Sequence, residues 1–138
     1  MQIVTNYWAV LVAAIASLII GSVWHGPLFG KKYMQASGMD GMSEDKKMEM
    51  KKGMKKAYIL QFVASFVMIY VLSCFMWLTT QMTVMGGLTV AFWAWIGFVV
   101  PIKLSEAIWG GKMAMFWIGI GNMLVTLLVA GAILGAWQ

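Results

Sequence analysis

Apolar positions in this chain do not alternate with polar ones; they run almost unbroken through four segments, 7–29, 57–78, 88–108 and 113–137. A helix rising ~1.5 Å per residue crosses about 30 Å of hydrocarbon in roughly 20 residues, so each segment is long enough to span a bilayer. Only helices and closed barrels satisfy every backbone N–H and C=O in lipid, and the alternation a barrel needs is missing. The pattern therefore predicts an all-α integral membrane protein, one membrane domain over residues 1–138, with four transmembrane helices arranged as two hairpins. Between the first two helices lies the one extended polar stretch, 31–56, read as a basic, Met-rich and partly helical connection.

Composition agrees with that fold class. Hydrophobic residues make up 62% of the 138 positions and charged ones 11%, with a mean hydropathy of +0.82, more apolar surface than one water-soluble core of this size could hide. The start of the chain lacks a positive region before its first apolar run, and that run has full spanning length, so the first helix is expected to be retained rather than cleaved as a signal. The single Cys74 lies within the second helix and is read as a small apolar residue.

Charge supplies direction. All ten basic residues counted as Lys or Arg are lysines. Lys31, Lys32, Lys46, Lys47, Lys51, Lys52, Lys55 and Lys56 belong to the first connection or its flanks, and Lys103 and Lys112 bracket the third. The positive-inside rule then places 30–56 and 109–112 in the cytoplasm and both termini outside. Trp8, Trp77 and Trp137 fall at the outer ends and Trp24, Tyr58, Trp109 and Trp117 near the inner ones, as interfacial aromatic residues do. A net charge of +5 so placed points to anionic lipid headgroups, with Lys31, Lys32, Lys51, Lys52, Lys55 and Lys56 facing them at roughly 1 kcal/mol per lysine. Nucleic acid is not an expected partner, since the chain has no arginine for bidentate contacts to phosphate or base.

Within the polar connection, Gly38, Asp40 and Gly41 read as a turn-rich linker. Ser43 then reads as a helix N-cap with Glu44 and Asp45 in the first turn, and the helical pattern runs on into the second span despite Gly53. Met50, Met54, Ala57 and Tyr58 form one stripe of that extension and Lys47, Lys51 and Lys55 another. This suits an amphipathic helix at the headgroups or a solvated stalk that anchors topology. The thioethers of Met34, Met39, Met42, Met48, Met50 and Met54 are soft ligands suited to copper(I), but the connection has no cysteine and no methionine array, so apolar packing rather than a metal site is expected.

Few residues carry chemistry. The Gly26 to Lys32 stretch has glycines one residue too close for a phosphate-binding loop, lacks the following Ser or Thr, and succeeds a transmembrane helix rather than a strand. Gly26 and Pro27 are read as terminating the first helix, and Gly97 with Pro101 as a kink in the third. Polar groups at membrane depth are the candidates for function: His25, Lys103, Glu106 and Asn122. Lys103 and Glu106 share one helical face and can pair, and a His25, Glu106 and Lys103 cluster could relay protons or bind a cation, but both charges lie close enough to the helix end to reach water, which favours a structural ion pair. Small residues supply packing faces, Ala9, Ala13, Ser17 and Gly21 on the first helix, with Gly131 and Gly135 on the fourth.

Asn6, Ala9 and Val10 in the first helix, the run Trp24, His25, Gly26, Pro27, Leu28, Phe29, Gly30 and Lys31 after it, and Trp95, Gly97 and Phe98 in the third together resemble a family of small bacterial four-span membrane proteins of unknown function. His25 stands where that resemblance would more often place tyrosine. The resemblance extends over essentially the whole chain and implies fold and location, a bacterial inner membrane, without implying an activity. One His, one Cys and no paired carboxylates at membrane depth leave no nucleophile, base and orienter, so neither an enzyme nor a resident cofactor is expected. The expectation is a non-catalytic scaffold, a homo-oligomer or an accessory subunit of a larger membrane complex. The competing expectation is an oligomeric transporter or channel for protons, cations or a small solute.

Overall fold

The computed structural model describes residues 5–37 and 43–137, and over them the chain is predominantly helical without a strand, with four helices long and apolar enough to cross a membrane: Tyr7–Leu28, Met54–Leu78, Val84–Gly110 and Met113–Ala136. We label the elements α1 (Tyr7–Val23), α2 (Gly30–Ser37), α3 (Glu44–Lys52), α4 (Met54–Leu78), α5 (Val84–Ala94), α6 (Val100–Gly110) and α7 (Met113–Ala136). Two five-residue π-helical turns, Trp24–Leu28 and Trp95–Val99, extend α1 and join α5 to α6. The linker read at Gly38, Asp40 and Gly41, with Met39 and Met42, lies outside the described residues, as do the side chains of Lys47, Met50 and Lys51.

Helix ends are set by local hydrogen bonding. Asn6 has an extended backbone and its Oδ1 accepts from the Ala9 N–H at 3.2 Å, satisfying a donor that the first turn leaves without a partner. Its Nδ2 reaches the carbonyl of Trp137 at 2.9 Å, so one side chain caps α1 and ties it to the far end of α7. Asn6→Ala is expected to cost about 1–2 kcal/mol. The check is the thermal midpoint in mild detergent, and an unchanged midpoint would show that the tether contributes nothing. Thr83 caps α5, accepting from the Gly86 N–H at 3.0 Å, which draws Gly86 and Gly87 into the third span. The sequence pattern starts that span later, at residue 88, because glycine reads as a breaker.

Ser43 accepts from the Lys46 N–H at 3.4 Å at the head of α3. Across Gly53 the ladder continues, Gly53 N–H to Glu49 O at 3.3 Å and Ala57 N–H to Gly53 O at 3.1 Å, so α3 leads into α4 with little interruption. Gly111 ends α6 in the left-handed region at φ +69°, a conformation that suits a residue without Cβ, and α7 starts two residues later.

Both prolines act at the π turns. Proline has no N–H for the carbonyl four residues back, and its ring crowds that carbonyl. At Pro27 the chain does not leave helical geometry; it widens, and the Phe29 N–H reaches the Trp24 carbonyl five residues back at 3.0 Å. The turn at Trp95–Val99 stands just before Pro101 and includes Gly97, whose carbonyl Pro101 cannot serve.

Helix α7 lies in the middle, with α1 on one side, α5 and α6 on another, and α4 packed mainly along α1. Ala9, Val10, Ala13 and Ala14 of α1, Ile69, Leu72 and Met76 of α4, Ala91 of α5 and Leu127, Ala130 and Leu134 of α7 form the core. The closest approach joins α5 to α7. A Cβ on Gly87 would run into the backbone carbonyl of Gly131, a Cβ on Gly131 into that of Gly87, and one on Gly135 into that of Thr83. Lipid tails are as apolar as any side chain, so helix association there depends on such close packing rather than on hydrophobic drive.

Candidate functional site

Of the sequence-derived polar residues, Lys103 and Glu106 are brought into contact with each other. Lys103 Nζ and Glu106 Oε2 pair at 3.4 Å across one turn of α6, with their side chains 43% and 64% exposed. An exposed i,i+3 pair of this kind contributes at most ~1 kcal/mol to folding. His25, in the first π turn, is turned back onto its own helix, with Nδ1 3.1 Å from the Gly21 carbonyl oxygen, an acceptor that calls for the proton on Nδ1. Helix α6 packs mainly on α7 and the π turn before it, whereas His25 sits beyond the end of α1. Asn122 lies on α7, half-buried, and its Oδ1 is enclosed without a hydrogen-bond partner among the described residues.

Two tryptophans draw these elements together. Trp24 Nε1 donates to the Ile118 carbonyl at 2.9 Å, and Trp95 Nε1 donates to the Ile120 carbonyl at 2.8 Å. Each opens a π turn, and each is followed two residues later by glycine, Trp24-His25-Gly26 and Trp95-Ile96-Gly97. The two indoles thus grip one stretch of α7 at carbonyls two residues apart. Gly121 makes room for the first: a Cβ there would stand 2.8 Å from Trp24 Cζ2. Phe29 closes on the same indole with ring centroids 4.9 Å apart. A buried indole N–H needs an acceptor, and in a helix bundle the second lone pair of a backbone carbonyl can supply it.

Sequence reasoning places Trp24 at an interface and counts Trp95 within the third helix, without pairing them on α7. Trp-x-Gly alone could not have found them, because Trp109-Gly110-Gly111 and Trp117-Ile118-Gly119 share it and their indoles are exposed. Gly97 lies within the second π turn, is exposed, and has open space where a Cβ would go. Pro101 lies in the first turn of α6 and is exposed.

Among the small residues, Ala9 and Ala13 are fully buried and Ser17 nearly so, its Oγ donating to the Ala14 carbonyl at 2.7 Å. Gly21 continues the spacing, but open space lies where a Cβ on it would stand, so it presses on no neighbouring helix. Gly131 and Gly135 meet α5, and their partners Gly87 and Thr83 are the contacts that sequence reasoning missed. Lys31, Lys32, Lys52, Lys55 and Lys56 are all exposed. They lie at the same end of the bundle as the α6–α7 connection, since α1 runs antiparallel to α7, from the Asn6–Trp137 bond to the Trp24–Ile118 bond. Among the described residues no three His, Cys, Asp or Glu side chains come close enough to hold a metal ion.

Comparison with known protein families matches residues 8–135 to a family described as a protein of unknown function, DUF1761. No curated protein and no solved structure matches the chain.

Proposed function

We propose a role from one premise: the chain belongs to the DUF1761 family of proteins of unknown function, so its own architecture has to carry the reading. On that reading it is a non-catalytic scaffold of a bacterial inner membrane, which assembles with its own copies or serves as an accessory subunit of a larger membrane complex. The supporting observation is how its scarce polar groups are used. Asn6, Trp24 and Trp95 all spend their side-chain donors on backbone carbonyls of α7 or of the residue that follows it, and glycines bring α5 and α7 into backbone contact. Such an arrangement favours a fixed shape over a moving one. The expected result in mild detergent is a native mass well above that of the 15.3 kDa chain, as a defined homo-oligomer or a co-purifying complex. A monodisperse monomer that brings down nothing else would overturn the reading.

The same reading sets the lysine-bearing end in the cytoplasm and both termini outside, by the charge bias of the connections. Ser43→Cys in a Cys74→Ser background is expected to resist an impermeant maleimide in intact cells and to react after permeabilisation. Labelling of intact cells would invert the topology.

A further inference from the structure

The bundle is tight at one end and splayed at the other. Met76 of α4 reaches α5 at Gly87, but toward the lysine-bearing end residues 54–61 of α4 are all exposed, and α6 buries only Ala107. Between the two helices opens a groove of about 330 Å³, lined by Met68, Leu72 and Phe75 of α4, Ala94 and Phe98 of the third span, and Leu127 beneath. Every lining side chain is apolar, and Phe75 and Phe98 are exposed along its rim.

Polar groups begin where the groove ends. Ile102 and Glu106 follow Phe98 and Val99 by four and seven residues on the same face, and Lys103 flanks them, bonded to Glu106. On the opposite wall Gln61 precedes Met68 by seven residues, its Nε2 donating to Ser65 Oγ at 3.2 Å. The third span has 27 residues, ~40 Å of helix against a hydrocarbon core of about 30 Å. With Val84 at one boundary of that core, the other falls about 20 residues on, near Lys103. The ion pair therefore stands at headgroup level, and the groove lies within the acyl region above it.

We propose that this cleft is a phospholipid site, in which the groove holds one acyl chain and the Lys103–Glu106 pair holds a zwitterionic headgroup with a primary ammonium, that is, phosphatidylethanolamine. Complementary charge selects the occupant. The phosphate faces the Lys103 ammonium and the ligand's own ammonium donates to the Glu106 carboxylate. A choline head has no N–H to donate, and a glycerol head brings an anion beside Glu106 with no cation in return. The site does not depend on whether the protein assembles as a scaffold.

The full chain in nanodiscs of equal phosphatidylethanolamine, phosphatidylcholine and phosphatidylglycerol, released for native mass spectrometry, tests this directly. Retention of the ethanolamine lipid is expected to exceed that of the choline lipid by roughly fivefold, as one additional charge-assisted hydrogen bond allows. Glu106→Gln, at an exposed position, should equalise ethanolamine and choline lipids. Val71 also lines the groove, and Val71→Trp, filling it from that exposed edge, should lower retention of the ethanolamine and choline lipids alike. Equal retention by the unaltered protein, or an ethanolamine preference that survives Glu106→Gln, would overturn the proposal.

Discussion

Gly131→Leu is expected to prevent the bundle from closing. A Cβ at residue 131 would strike the Gly87 carbonyl and stand 2.7 Å from its carbon and 3.2 Å from Ala91 Cβ, so most of what it meets is backbone, with no rotamer by which to retreat. The rest of the leucine would have to force α5 from α7 along a contact that Gly135 and Thr83 repeat one turn away. Overpacking a tight core typically costs 1–3 kcal/mol, and a backbone clash in a glycine-to-glycine contact belongs at about 3 kcal/mol or beyond. The measurement is the yield of monodisperse protein in mild detergent and its thermal midpoint. Gly119→Ala is the control, because open space surrounds that position, and it should leave both unchanged or slightly improved. A leucine variant as stable as the unaltered protein would mean that α5 and α7 do not meet at these glycines.

Gly121→Ala is expected to cost about 2 kcal/mol in the unaltered chain and almost nothing when Trp24 is leucine. The indole cannot swing away from an added methyl without breaking its bond to Ile118 and its contact with Phe29. Trp24→Leu alone should cost about 2–3 kcal/mol, from the lost hydrogen bond and the lost ring volume. The double variant should then be no worse than Trp24→Leu by itself. Thermal unfolding followed by circular dichroism completes the cycle, and additive costs would show that ring and glycine do not touch.

These two sites mark how far a sequence can be read. The four helices were legible because burial in lipid demands length and apolarity, which unbroken runs such as 113–137 display directly. The Lys103–Glu106 pair was legible from spacing within a single helix, and Ser43 from the acids that follow it. Gly87 was not, because glycine reads as a breaker in water, and its value between two helices depends on a partner 44 positions away. Nor was the grip of Trp24 and Trp95 on α7, since an indole at a helix end looks the same in sequence whether it meets headgroups or a neighbouring backbone. Pro27 and Pro101 announced a disturbance of the ladder. Whether the chain then exits or widens into a π turn depends on what holds it, here the indole that opens each turn.

The bond between Asn6 and Trp137 also bears on how the molecule is made. Helix α7 is the last of the four spans to leave the ribosome, and some 90 residues separate its start from the end of α1. At ~5–20 residues per second, the surface of α1 that α7 will cover waits about 5–20 s after α1 itself is complete. During that interval it presents a bare, flat surface in the bilayer, where any other nascent segment with small residues can dock. A fold whose earliest helix is held by its latest therefore depends on prompt delivery of the fourth span.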